Sequence, residues 1–227
     1  MTTLHVLRVF LGPDGRGGNP LGVFLDGGAI GPAVRLAVAR ELGFSETVYV
    51  DEVAGGEASI AIYTPGMEMA FAGHPTVGTS WLLRHEGMPV DMIHLPAGAV
   101  RTWEDGELTW IRARPSWLGD LPTRQYGSPA EIEALTPAAE DEHGAYVWAW
   151  IDEDAGVVRS RFFAAGFGIV EDEATGLAAV VMGGKLGRDL TIRQGVASEL
   201  YVRPDPGAGT VDVGGRVAPV EVREFGQ

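Results

Sequence analysis

Two stretches decide the fold: FAGHPTVGTSWLL, Phe71 to Leu83, and EATGLAAVVMGG, Glu173 to Gly184. Each places a glycine (Gly73, Gly176) at the start of a segment with helix-like spacing, built almost wholly of small and apolar residues. A helix with no polar face has to be buried on every side. Runs with strand character flank both segments. Two curled sheets, each wrapped around its own central helix, are therefore the economical arrangement. The two helix N-termini would then face one another across a cleft.

Working outward, Leu4–Phe10 and Leu21–Leu25 read as strands on either side of a Gly/Pro-rich loop, LGPDGRGGNP. Ile30 to Leu42 is helical, with Val34, Ala37, Val38 and Leu42 at 3.6-residue spacing and Gly43 as the stop. Strands follow near Glu46–Val50, Ala58–Thr64 and Glu68–Phe71, then at Met92–Leu95, Val100–Trp103 and Leu108–Ala113. A proline-rich connector begins at Arg114. SPAEIEALT reads as a short helix, with Ser128 as N-cap, Pro129 in the first position and Glu131 completing a capping box. Strands resume at Tyr146–Ile151 and Val157–Phe163, and the tail alternates through LTIRQG, ELYVRP and VAPVEVREF.

The chain has 227 residues, enough for one large domain or two small ones with a real core. Its formal charge of −14 argues against a nucleic-acid partner, which requires a basic patch. There is no cysteine, so disulfides, thiolate zinc sites and thiol nucleophiles are excluded. The five histidines (His5, His74, His85, His94, His143) show no paired ligand spacing, so no metal is expected. No apolar run approaches the ~20 residues of a membrane span. The opening MTTLHVLRVF lacks the basic region and long apolar core of a signal peptide and reads as a first strand, so the expected location is the cytoplasm.

Several residues carry candidate chemistry. Helix N-termini present unpaired N–H groups and partial positive charge, so a carboxylate could sit at Gly73 and Gly176; tight turns before buried helices would also explain both glycines. His74 falls at the start of the first helix, with Pro75 in a plausible first position, which would make His74 the N-cap. Glu171, Asp172 and Glu173 precede the second helix, where they could complement its dipole or turn one carboxylate into the cleft. Asn19, in GGNPLGVF, is a turn residue or a ligand contact. Glu46 opens the strand in GFSETVYV, either as a solvated strand end or as a placed acid/base.

The stretches RVFLGPDGRGGNPLGVF, ELGFSETVYV, IYTPGMEMAFAGHPTVGTSWLL, EDEATGLAA and IRQG, in that order from Arg8 to Gly195, resemble the phenazine-biosynthesis isomerases of the PhzF type, relatives by fold of diaminopimelate epimerase. The resemblance implies an α+β fold of two pseudo-symmetric halves, each a barrel-like curled β-sheet around a central helix, with the active site in the cleft between them. The halves would be 1–114 and a shortened 115–227, the last strand returning to the first half. It also implies a cofactor-independent isomerase of a small cyclic or unsaturated carboxylic acid, of a kind serving secondary metabolism and commonly a homodimer. Epimerase relatives use two cysteines; Ala72 and Thr175 stand before the helix glycines here, so another proton carrier is needed. By the resemblance that carrier is Glu46, assisted by His74 and Asp172, with Asn19, Ser45, Gly73, Gly176 and Leu177 around the substrate. Leu177 stands where the family commonly has serine, which points to a different substrate. An epimerase or racemase, or a non-catalytic binder of small acids, are the alternatives.

Overall fold

A computed structural model describes residues 2–119, 121–137, 145–164 and 169–226; His143 lies outside the described residues. The first part runs β1 (Thr2–Leu11), β2 (Gly17–Phe24), α1 (Pro32–Leu42), β3 (Thr47–Ala54), β4 (Glu57–Tyr63), β5 (Glu68–Met69), α2 (Gly73–His85), β6 (Met92–Leu95), β7 (Gly98–Asp105) and β8 (Leu108–Ala113). The remainder runs β9 (Thr123–Gln125), α3 (Pro129–Ala134), β10 (Ala145–Asp152), β11 (Val157–Ala164), β12 (Ile169–Asp172), α4 (Gly176–Leu186), β13 (Leu190–Gln194), β14 (Ser198–Asp205) and β15 (Thr210–Phe225).

All the strands belong to one continuous sheet. Hydrogen bonding passes from β1 through β2, β3, β4, β6, β7 and β8 to β15, and β15 pairs back onto β1, closing a ring. The 16 residues of β15 also carry the sheet onward through β14, β13, β11, β10 and β9. One long strand thus belongs to both curls. Strand alternation sorts the side chains. Val48, Val50, Ile60 and Ile62 join the main core that includes Val77 and Leu82 of α2, while Tyr49, Ala61 and Tyr63 face a second cluster with Val38 and Ala39 of α1.

Both central helices are buried nearly all round, as their composition requires: Gly73–Ser80, Leu82 and Leu83 in α2, and Gly176 with Ala178–Gly183 in α4. Their N-termini abut. A methyl group placed on Gly73 would lie 2.7 Å from the Gly176 Cα, and one on Gly176 would lie 2.8 Å from the Gly73 Cα. Only glycine permits two backbones to meet this closely.

Three local readings are corrected. The N-cap of α2 is Ala72, so His74 is the second helical residue rather than the cap, and Pro75 is the third. Proline is tolerated there because first-turn N–H groups have no intrahelical acceptor. In α1, Val34 is 40% exposed while Arg35 is buried. The Arg35 guanidinium donates to the Ile30 and Gly27 carbonyls and pairs with Asp51, so a cation is fully partnered on the face where periodicity places apolar residues. The Gly/Pro loop is also shorter than expected. β2 begins at Gly17, and Asn19 pairs with Val9 inside the sheet. Ser128 caps α3, with Glu131 N–H donating to Ser128 Oγ at 3.4 Å, but the Glu131 carboxylate returns to the Gly127 N–H at 3.4 Å rather than to that of Ser128.

The helix–helix contact leaves no room for a side chain. Gly176→Ala is expected to lower stability by about 1–3 kcal/mol through overpacking against backbone, read as a fall in the urea midpoint at unchanged slope.

Candidate active site

The abutting helix ends floor a cavity of about 410 Å³. Three different chain segments bring titratable groups to it. Glu46 immediately precedes β3, whose start is held parallel to β2 by the Gly22–Thr47 pairing. His74 sits in the first turn of α2, and Asp172 ends β12, just before α4. Their side chains line the same cavity, His74 and Asp172 almost wholly buried. His74 Nε2 lies 3.4 Å from Glu46 Oε2, with side chains 4% and 17% exposed. The orientation is too poor for a hydrogen bond, and both atoms are buried without a partner. Buried polar atoms are nearly always satisfied, so an unpartnered pair aimed into a cavity marks a place where a ligand supplies the missing contacts.

Asp172 is held differently. Its Oδ1 accepts from Asn19 Nδ2 at 2.7 Å and its Oδ2 from the Thr175 hydroxyl at 2.5 Å. Thr175 is itself fixed by Gln194, whose Nε2 donates to Thr175 Oγ1 at 2.8 Å and to the Asp172 carbonyl at 3.0 Å, while its Oε1 accepts the Thr175 N–H at 3.2 Å.

Burial sets the proton affinities. Desolvation raises Glu46 to about 7, and the adjacent Ser45 hydroxyl opposes the rise. Asp172 rises to about 6, first by desolvation and then by the Glu46 charge, against His74, Thr175 and Asn19. His74 falls to about 4 because burial disfavours the imidazolium, with the Asp172 charge and the Pro20 backbone pulling the other way. At neutral pH the imidazole is uncharged, and Glu46 can both take and give a proton.

The three consecutive acids separate, Glu171 and Asp172 by alternation at the end of β12 and Glu173 just beyond it. Glu171 forms a two-point ion pair with Arg161, both contacts 2.7 Å. Glu173 accepts from Val196 N–H at 2.9 Å and from the Ser198 hydroxyl at 2.8 Å. Asp172 alone reaches the cavity. Gly73, Gly176 and Leu177 line it too. Asn19 is 3% exposed, and its amide hydrogens go to Asp172 and the Ala174 carbonyl, so the structure makes it a support for Asp172. The Ser45 hydroxyl donates to Asn19 Oδ1 at 3.3 Å. Sequence reasoning singled out neither Gln194 nor the hydroxyl of Thr175, although Gln194 lies in the quoted IRQG stretch. Phe162, Met69 and Leu121, which wall the cavity, carried no signal. Among the described residues no cluster of three or more histidine, aspartate or glutamate side chains is placed to hold a metal, and no helix is long and apolar enough to cross a membrane. A larger open groove of about 1150 Å³, lined in part by Arg161, Glu171, Glu173 and Arg193, holds none of the unpartnered buried atoms.

Asn19 bridges β2 to the loop before α4. Asn19→Ala is expected to raise the Asp172 pKa further above about 6, by removing a donor to its charged form. It is also expected to cost about 1–3 kcal/mol of stability. Carbon-detected NMR titration of the aspartate carboxyls and a denaturation curve check the two effects.

Comparison with known proteins bears on the family and the fold. Residues 13–115 match the family model described as phenazine biosynthesis-like protein. The chain is 32% identical over 203 residues to a trans-2,3-dihydro-3-hydroxyanthranilate isomerase of Pseudomonas fluorescens, covering 71% of this chain and 72% of that one. It is 30% identical, over an alignment of 256 positions, to the enzyme of the same name from Pseudomonas aeruginosa, covering 90% and 89%. The crystal structure of a phenazine biosynthesis protein of the PhzF family from Enterococcus faecalis superposes with a TM-score of 0.81 at 18% identity, covering 100% of this chain and 99% of that one; at that identity the likeness is one of fold. With two helix N-termini meeting beneath a buried glutamate, histidine and aspartate, and with relatives matched over most of their length, the chain belongs to the phenazine biosynthesis-like family and is an isomerase.

Proposed function

We propose that the protein moves a proton, and with it a double bond, within a small cyclic or unsaturated carboxylic acid, using Glu46 as the sole proton carrier and no cofactor. The observation that carries this reading is Glu46 Oε2: buried, unpartnered, facing the cavity, on a group whose proton affinity burial brings to about 7. A general acid–base group works best with a pKa near the operating pH.

The substrate carboxylate sits at the first-turn N–H groups of the two abutting helices, the ready-made anion site of this fold. The Glu46 carboxylate takes a proton from a carbon activated by that carboxylate or by an adjacent double bond. The electron pair left behind moves into the π system, toward the carboxylate, where two helix N-termini stabilise it. The Glu46 carboxylic acid then returns the same proton to a different carbon of the shifted system, so the reaction balances within one molecule. Neutral His74 presents Nε2 to the protonated form of Glu46, and Asp172, fixed by Asn19 and Thr175, holds the far side of the cavity in place. Epimerisation by two opposed bases fits less well, because both Asp172 oxygens already accept hydrogen bonds whereas a Glu46 oxygen is free.

Proton NMR in D₂O with a panel of small unsaturated acids, including dihydro-hydroxyanthranilate, tests the reading. Wild type should introduce deuterium or a new C–H position, and Glu46→Gln should slow this by about 10²–10⁴-fold. Full turnover by the variant rules out Glu46 as the carrier. The apparent second-order rate constant should rise with pH through about 7 as the Glu46 carboxylate forms.

The same burial has a stability consequence. A carboxyl whose folded pKa lies above its unfolded value binds more protons in the folded state, so its contribution is lost as pH rises between the two values, here from 4.5 to about 7. Glu46→Gln should therefore be more stable than wild type at pH 8, by up to about 3 kcal/mol. The difference should shrink toward pH 5, as read by thermal melts at both pH values.

A further inference from the structure

The proposed isomerase reading names a carboxylic acid but not what else the acid carries. The hydrogen-bonding inventory of the cavity bears on that. Among the described lining residues there is no lysine or arginine. Thr64 spends its hydroxyl on its own turn, accepting from Gly66 N–H at 3.1 Å and Met67 N–H at 3.0 Å and donating to the Met67 carbonyl at 3.2 Å. The Thr175 hydroxyl donates to Asp172 and accepts from Gln194. Each Asp172 oxygen already accepts one hydrogen bond from the protein.

Among the described lining residues the buried side-chain atoms without a partner are Glu46 Oε2 and His74 Nε2, and the first turns of the two helices add N–H groups that have no intrahelical acceptor. The N–H groups suffice for one carboxylate, and Glu46 with His74 suffice for one travelling proton. The rest of the wall is Met69, Leu121, Phe162, Ala164 and Leu177, with Met67 exposed. Leu177 matters most, because it stands in the first turn of α4, beside the site for the carboxylate. A polar group on the substrate next to its carboxylate would face that side chain, which offers neither donor nor acceptor. A buried polar group without a partner loses its hydration uncompensated.

Resting on the isomerase reading, we infer that the substrate is a monocarboxylic acid whose ring or chain beside the carboxylate is unsubstituted hydrocarbon, and that Leu177 enforces this by excluding acids with a neighbouring hydroxyl or amino group. The cavity is thus built for an alkenoic acid less polar than the hydroxylated acid in the names of its relatives.

The test uses three matched acids: cyclohex-1-enecarboxylate, its 6-hydroxy derivative and its 6-amino derivative. Affinities come from isothermal titration calorimetry, and carbon exchange from NMR in D₂O. The hydrocarbon acid should bind about tenfold or more tightly than either substituted acid. Leu177→Asn, with the same branched four-heavy-atom shape but smaller and able to hydrogen-bond, should close or reverse that gap without loss of fold, confirmed by an unchanged circular dichroism spectrum. Leu177→Met, an apolar swap, should leave the preference intact. Equal or tighter binding of the substituted acids by wild type overturns the inference. So does a preference that Leu177→Asn leaves unchanged. The two readings fail separately. A preference for the hydrocarbon acid with no exchange in any acid overturns the isomerase reading alone, and exchange without preference overturns only this one. Binding of none of the three overturns both.

Discussion

The approach of the Gly73 and Gly176 backbones is the contact on which everything else depends. Two helices without polar faces must each be enclosed by sheet, and one 16-residue strand, β15, takes part in enclosing both. That sharing brings the helix ends together. At the meeting point a side chain on either glycine would strike backbone, which cannot swing aside as a side chain can. The result is a concentration of unpaired N–H groups and partial positive charge at one end of a cavity otherwise walled by apolar residues. A substrate carboxylate can be held there without any cationic side chain, so the walls are left apolar.

That apolar enclosure also raises the proton affinity of the carboxylates. Glu46 and Asp172 are both raised chiefly by desolvation, and no arginine or lysine among the described cavity residues offsets it. Elsewhere the molecule pairs its buried charges with care: Arg35 with Asp51 and two carbonyls, Arg161 with Glu171 and two more. The contrast sets the cavity apart from the rest of the fold. Where stability alone decides, a buried charge is given a partner; at Glu46 it is left without one, and the cost is carried by the surrounding sheet.

Much of this was legible in the residues. Two segments with no polar face predict two enclosed helices, and strand alternation sorts Val48 and Val50 from Tyr49. Alternation also separates Asp172 from Glu171, since consecutive strand residues face opposite ways. The misplaced parts share one cause. Periodicity scores residue type and cannot see partners. Arg35 is buried because carbonyls of a nearby turn receive its guanidinium, and Gln194 matters because of where Thr175 lies across the fold.

The sequence by itself determined the family, the two apolar helices and their strands, the glycine starts, and the short roster of groups able to carry a proton in a chain without cysteine, because these follow from residue type and local spacing. Only the tertiary structure decided which of those groups meet. Glu46, His74 and Asp172 lie up to 126 positions apart along the chain and share a cavity because sheet closure brings their segments together. Asn19 became a support rather than a free contact for the same reason, and so did the proton affinities, which are set by how much water the closed sheet excludes.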